Sequence, residues 1–219
     1  MKRIWFSLVV LFAAQALALG WRAGILQLHG PPLNHPFGIV RGPDGCIYFC
    51  EIDGNVVRKV DARGNVVTVA EGFKHPHEIR FDKQGNLYVA DTDNQRIARV
   101  DVKSGAVTTV NREPLRTPIA MQLDAHGEIY VCEISKHAIT KLNPRTGAVA
   151  PFLTEGLKGP RSIDFDRQGN LWIVLREGNA VLKYDVAAKK LVPVAGTGKR
   201  GYGGLCLSGQ WGVRGGTCL

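Results

Sequence analysis

NLYVADTDNQRIARVD, residues 86–101, decides the architecture of this chain. Leu87 to Ala90 reads as a short apolar strand, Asp91-Thr92-Asp93-Asn94 as a polar loop, and Arg96 to Asp101 as a second strand. Upstream, Pro76 opens the unit, Ile79 to Asp82 reads as its first strand, and Lys83-Gln84-Gly85-Asn86 as a hairpin turn. Gly85 suits that turn because a short loop between antiparallel strands needs a residue with positive φ, which glycine takes without a Cβ clash. Downstream, Lys103-Ser104-Gly105 turns the chain into a fourth strand, Ala106 to Val110. The unit recurs, with opening prolines at Pro36, Pro76, Pro118 and Pro160 and turn glycines at Gly45, Gly85, Gly127 and Gly169. A period of roughly 40 residues built of four short strands is that of propeller blades, in which each sheet needs neighbours to cover its two faces. The fold class expected is all-β, with four recognisable four-stranded blades at about 33–72, 73–113, 114–156 and 157–196.

The first 18 residues read as an export leader: Lys2 and Arg3, an apolar run from Ile4 to about Leu17, and the small-x-small site Ala16-Leu17-Ala18. The run is shorter than the roughly 18 residues that suggest a membrane span, and the strands beyond it are short and interrupted, so no span is expected in the mature chain. A secreted or periplasmic protein follows, cleaved near Ala18. No Cys stands at the cleavage site to carry a lipid. Residues 19–32 are expected to lead in as a strand.

The formal charge is +9, and the leader takes two lysine-arginine charges with it. The bases recur at one blade position (Lys59, Arg99, Lys141, Lys183) with Asp61, Asp101 and Asp185 near them, which marks a regular solvated face. No run of bases interleaved with aromatics appears, and no nucleic-acid partner is expected. Among the five cysteines, Cys46 and Cys50 would stand about 13 Å apart along one strand, too far to bridge. Cys50 and Cys132 share a slot with Ala90 and Val174, as small buried thiols would. Cys206 and Cys218 could pair, but no disulfide framework is expected.

Asn86 to Asp101 closely resembles the core of the NHL repeat, and Pro36-Phe37-Gly38-Ile39 is similar to its start. The resemblance runs from about Leu33 to Tyr202 and implies a β-propeller of the NHL and SMP-30/gluconolactonase-like (TolB-like) class, commonly six-bladed. Gly196 to Gly204 resembles a glycine-rich insertion that leads into another blade in this class, but residues 203–219 form an atypical tail without the repeat. A truncated gene or a slipped frame near Gly204, with two blades missing, is the expectation.

Propeller ligands sit at the central channel, lined by each blade's first strand and the loop before it. The residues after each opening proline are Phe37-Gly38, His77-Glu78, Ile119-Ala120 and Arg161-Ser162. His77, Glu78, Arg161 and Ser162 are therefore the candidate ligand-binding residues, set against an ordinary polar lining of a wet channel. His75 and His77, two apart on a strand, would point to one side and are candidate zinc ligands. Glu51, Asp91 and Glu133 end successive second strands and could ring a calcium ion, or instead bond the backbone of their own loops.

Pro76-His77 resembles a Pro-His pair that peptidylglycine amide lyases repeat on alternate blades, yet only the second blade carries it. Nor do residues beside the four prolines match the Glu, Asn and Asp that hold the cation of SMP-30-like lactonases. Gly196-Thr197-Gly198-Lys199-Arg200-Gly201 fits a dinucleotide pattern, but Tyr202-Gly203-Gly204 starts a helix poorly and no acid follows at the required distance. The function expected is a binding scaffold for a protein, peptide or glycan at the channel mouth. The alternatives are a calcium- or zinc-dependent lyase or lactonase-like hydrolase with an incomplete site, and a non-functional fragment.

Overall fold

The computed structural model describes residues 30–196, so the leader, both cysteines of the tail and residues 203–219 lie outside the described residues. So does most of the lead-in segment, whose last residues, Gly30, Pro31 and Pro32, are not in a strand. Four sheets of four antiparallel strands follow one another in chain order. The first comprises β1 (Pro36–Arg41), β2 (Ile47–Glu51), β3 (Val56–Val60) and β4 (Val66–Glu71). The second comprises β5 (Pro76–Phe81), β6 (Leu87–Asp91), β7 (Arg96–Val100) and β8 (Val107–Thr109). The third holds β9 (Pro118–Leu123), β10 (Ile129–Glu133), β11 (Ala138–Leu142) and β12 (Val149–Leu153), with a single turn of 3₁₀ helix, Ile134–Lys136, between β10 and β11. The fourth holds β13 (Pro160–Phe165), β14 (Leu171–Leu175), β15 (Ala180–Asp185) and β16 (Lys190–Gly196). No helix among the described residues is long and apolar enough to cross a membrane.

The first strands β1, β5, β9 and β13 lie side by side in that order, which makes them the innermost strands of successive blades. Three apolar clusters fill the spaces between blades. Tyr48, Cys50 and Val57 meet Ile79, Leu87 and Val89; Tyr88, Ala90 and Ile97 meet Met121, Ile129 and Val131; Tyr130, Cys132 and Ile139 meet Ile163, Leu171 and Ile173. Cys50 and Cys132 are fully buried and free, as their slot suggests, and burial pushes both thiols up, Cys50 to about 12. The recurring bases stand directly across β2–β3, β6–β7, β10–β11 and β14–β15 from Tyr48, Tyr88, Tyr130 and Trp172. Lys59 and Lys141 hold their ammonium groups 5.7 and 5.5 Å from the centroids of Tyr48 and Tyr130, so these bases shield aromatic rings as well as face water.

The turns between first and second strands repeat one set of bonds in the second, third and fourth blades, around Asp82, Asp124 and Asp166. In the second blade Gly85 donates its N–H to the Asp82 carbonyl at 3.1 Å, and Asp82 Oδ1 accepts the N–H groups of Gln84 and Asn86 at 2.9 and 2.8 Å. Gly45, Gly85, Gly127 and Gly169 all have φ between 80 and 85°, as positive-φ turns require.

The first strand is longer than the alternation suggests, because it begins at the opening proline itself, a position from which no ladder N–H is needed. Just after that proline the pairing slips by one residue. Pro76 faces Asp91 and Glu78 faces Ala90, leaving His77 unpaired; Arg161 and Ile119 are unpaired in the same way, and Phe37 falls in the corresponding irregularity of β1. His75 is not in the strand at all: its φ is +49°, so the alternation expected to align it with His77 does not apply.

At Gly127 an added Cβ would meet nothing within 4 Å, while φ is +84°. Gly127→Ala should therefore cost only backbone strain, about 1–2 kcal/mol, read as a lower urea midpoint at an unchanged slope. A loss within error of zero would show that the turn relaxes out of the left-handed region.

Candidate functional site

The four β-bulges place Phe37, His77, Ile119 and Arg161 at the start of the innermost strands, and of these Ile119 is buried in the core between the third and fourth blades. Arg161 comes from the fourth blade, yet its guanidinium carbon lies 5.2 Å from the centroid of Phe37 in the first blade. The Phe37 ring in turn meets His77 edge to face, with centroids 5.6 Å apart at 73°. Side chains of three blades thus converge at the mouth of the channel. Burial and the nearby Arg176 guanidinium hold Arg161 below its usual value, and no carboxylate lies within 4.0 Å of it among the described residues.

His77 is held in one tautomer by its neighbours. Nδ1 lies 2.9 Å from the His75 carbonyl and 2.8 Å from Thr92 Oγ1. The Thr92 hydroxyl donates to the Pro118 carbonyl at 2.7 Å, so towards His77 it can only accept. Both partners therefore call for a proton on Nδ1, and Nε2 is left with its lone pair. Burial lowers the His77 pKa, against the hydrogen bond to the His75 carbonyl and with the Arg161 charge, which keeps the ring neutral at neutral pH.

Glu78 accepts from its neighbour's backbone, Ile79 N–H, at 3.2 Å and from Arg80 Nη1 at 2.5 Å. Burial raises its pKa, against the pull of Arg80 and Arg161. Ser162 does not join this group: it pairs with Val174, is exposed, and its hydroxyl makes no hydrogen bond among the described residues.

The candidate metal ligands are kept apart. His75 binds Asp93 Oδ2 through Nδ1 at 2.7 Å, and its Nε2 is 3.9 Å from Asp53. Asp91 accepts Lys74 N–H at 2.7 Å, Arg96 Nε at 2.7 Å and Asn94 Nδ2 at 2.9 Å. Glu133 accepts Arg116 N–H at 2.6 Å and also binds Thr140 and Lys136. Glu51 is fully buried with Oε1 2.8 Å from Arg58 Nε, a contact of charges without hydrogen-bond alignment. The oxygens of Asp91 and Glu133 do bond backbone, but not that of the loop that follows them, as expected from turn chemistry. They reach across the sheet to the residue two places before the opening proline and pin the entrance of the inner strand. Among the described residues no three His, Cys, Asp or Glu side chains come together as a metal site, so the donors present do not fit calcium or zinc.

Comparison with known proteins agrees with this architecture. The NHL repeat family model matches residues 73–99, the second blade. Virginiamycin B lyase from Staphylococcus aureus superposes with a TM-score of 0.67 at 21% identity, over 78% of this chain and 60% of that one. An auxiliary nutrient binding protein from Bacteroides thetaiotaomicron gives 0.63 at 17% identity, over 78% of this chain and 44% of that one. A putative gluconolactonase gives 0.63 at 18%, over 75% and 64%. In sequence, the chloroplastic protein SUPPRESSOR OF QUENCHING 1 of Arabidopsis thaliana is 32% identical over 33% of this chain and 8% of its own length. The fold is that of a β-propeller. Its second repeat matches the NHL model, and the chain spans about 60% of the length of the lyase it resembles.

A buried carboxyl with a raised pKa weakens the fold as pH climbs. The cost is absent below the ordinary value of 4.5 and appears as pH rises through the raised one. His77, lowered from 6.5, contributes with the opposite slope, its stability falling as pH drops below 6.5. Glu78→Gln removes only the first effect. The variant should gain stability relative to the parent between pH 4.5 and 7.5 in chemical denaturation; a gap that shrinks over that range would contradict the burial argument.

Proposed function

We propose that this propeller is a binding scaffold whose channel mouth takes a protein, peptide or glycan ligand through an anionic group, with Arg161 as the anchor. The observation that carries the reading is Arg161 itself: a partly buried guanidinium stacked over Phe37, with no carboxylate within ion-pair distance among the described residues. A planar guanidinium pre-oriented on an aromatic face offers its N–H fork to a carboxylate or sulfate with little further ordering. His77 Nε2 adds an acceptor beside it, and Phe37, 45% exposed, an apolar face. The likeness to nutrient-binding proteins supports a ligand-binding role for this fold.

A second reading, a lyase or hydrolase, draws on the neutral His77 with its free Nε2, a group able to take up a proton. The described residues offer that reading no set of metal ligands. The chain acts, on either reading, after export and removal of a leader near Ala18.

Fluorescence polarisation with labelled peptides bearing a free or an amidated C-terminus, and with uronic-acid or neutral oligosaccharides, tests the anchor. Arg161→Ala should weaken the best ligand roughly tenfold or more, and Arg161→Lys should restore only part of the loss. Equal binding of charged and neutral ligands, or no effect of Arg161→Ala, would refute the anionic anchor. Turnover of any of these ligands that is lost in His77→Ala would favour the enzymatic reading.

A further inference from the structure

The end of the blades opposite the channel mouth holds a second candidate site. Between the third and fourth blades lies a cleft of about 580 Å³, walled by Tyr130, Phe152, Phe165 and Tyr184. Its volume falls inside the roughly 300–1,000 Å³ range of small-molecule sites. The rings meet edge to face, Tyr130 with Phe152 at 4.8 Å and with Phe165 at 5.1 Å, and Phe152 with Tyr184 at 5.1 Å. Phe165 ends the strand in which Arg161 is the second residue, about 13 Å away at strand rise.

What distinguishes this cleft is a broken repeat. In the other three blades the aromatic residue of the second strand donates its polar hydrogen to a turn aspartate, which in the first blade stands two places later because Gly42 takes the place of Asp82. Tyr48 reaches Asp44 at 2.9 Å, Tyr88 reaches Asp82 at 3.2 Å, and Trp172 reaches Asp166 at 3.0 Å. In the second and fourth blades an asparagine amide also donates to that same oxygen, Asn86 at 2.7 Å and Asn170 at 3.0 Å. The third blade has Glu128 at the asparagine position. A carboxylate cannot donate to a carboxylate, and Glu128 turns instead to Asn143 Nδ2 at 2.7 Å and Lys141 at 3.7 Å. Asp124 accepts the backbone N–H groups of His126 and Glu128 through Oδ1 alone. Its Oδ2 has no hydrogen bond among the described residues, and the Tyr130 hydroxyl does not reach it.

The cleft therefore joins aromatic walls to a rim holding both an acceptor, Asp124 Oδ2, and donors, Tyr130, Lys141, Arg167 and Lys189. Neither Arg167 nor Lys189 has a carboxylate within 4.0 Å among the described residues. A purely apolar ligand would leave these groups without partners, and a purely anionic one would meet Asp124. A pyranose ring satisfies both halves, since its C–H face packs on aromatic rings while its hydroxyls donate and accept in turn. We infer that this cleft is a carbohydrate subsite separate from the channel mouth, with Asp124 as its acceptor and the partly buried rings of Phe152, Phe165 and Tyr184 as its wall.

Saturation-transfer NMR on the full chain tests this with the methyl glycosides of glucose, galactose, mannose and N-acetylglucosamine, using sorbitol and benzoate as controls. At least one glycoside should receive saturation, strongest on the C–H protons of one ring face, and neither control should. Glu128→Asn restores the donor present in the second and fourth blades and should lower the glycoside's affinity at least threefold by occupying Asp124. Tyr130→Phe, which removes one oxygen and keeps the ring, should do likewise if Glu128→Asn does not fold. Arg161→Ala should leave this binding unchanged. Transfer to none of the four glycosides, equal transfer to sorbitol or benzoate, or loss in Arg161→Ala alone would overturn the assignment.

Discussion

A four-stranded sheet with apolar residues on both faces has to be covered twice, and everything else in this chain is arranged around that requirement. The second strand of each blade is the most apolar, because it sits in the middle of its sheet and packs on both sides. Leu87, Val89 and Ala90 of β6 are fully buried although they alternate between the first and third blades. The faces that lack a described neighbour show the converse: Ile39 and Ile47 in the first blade are 65% and 37% exposed, and Val174 in the fourth is 43% exposed. At roughly 25 cal/mol per Å² of apolar surface, covering such a face is the dominant favourable term of blade stacking.

Stacking fixes the inner strands side by side, and only then do local irregularities acquire functional meaning. A bulge in an isolated sheet merely disturbs pairing. Placed after the opening proline of an innermost strand, it turns Phe37, His77 and Arg161 towards the channel, while Ile119 of the third blade stays in the core. The buried acids serve the same end by a different route. Asp91 and Glu133 pin the backbone two residues before the proline, so the segment carrying the bulge is held from behind. These carboxylates look like metal ligands in sequence because they are acidic, regularly spaced and at strand ends. Their oxygens are already committed to N–H donors and to Arg96, Thr140 or Lys136.

The blades were legible in the sequence because their signals are local: a glycine that takes positive φ, a proline that starts a strand, and short apolar runs at a constant spacing. The candidate residues His77, Glu78 and Arg161 were legible for the same reason, as the places after each proline. Their chemistry was not. The tautomer of His77 depends on Thr92, fifteen residues on, and on the Pro118 carbonyl of the next blade. The Arg161–Phe37 contact joins the fourth blade to the first, and Phe37 reads in sequence as an apolar position without a role. His75 and His77 were misread as a pair because the left-handed φ of His75 cannot be seen in a two-residue alternation. Ser162 was carried along by its neighbour, although consecutive residues beside a bulge need not share a direction.

The replacement at Glu128 lies between these cases and shows why repeats are informative where single motifs are not. Glutamate in a turn means nothing by itself. Against Asn86 and Asn170 at the same place in two sister blades, it becomes the removal of one donor from a network whose other members are conserved within the molecule. The chain therefore supplies its own reference state. In the second, third and fourth blades the turn glycine, the aspartate and an aromatic side chain recur while asparagine gives way to Glu128 in the third, and the resulting unmatched oxygen appears where four aromatic side chains meet. The turn itself does not require a glutamate there, since two other blades of the same protein form it with asparagine.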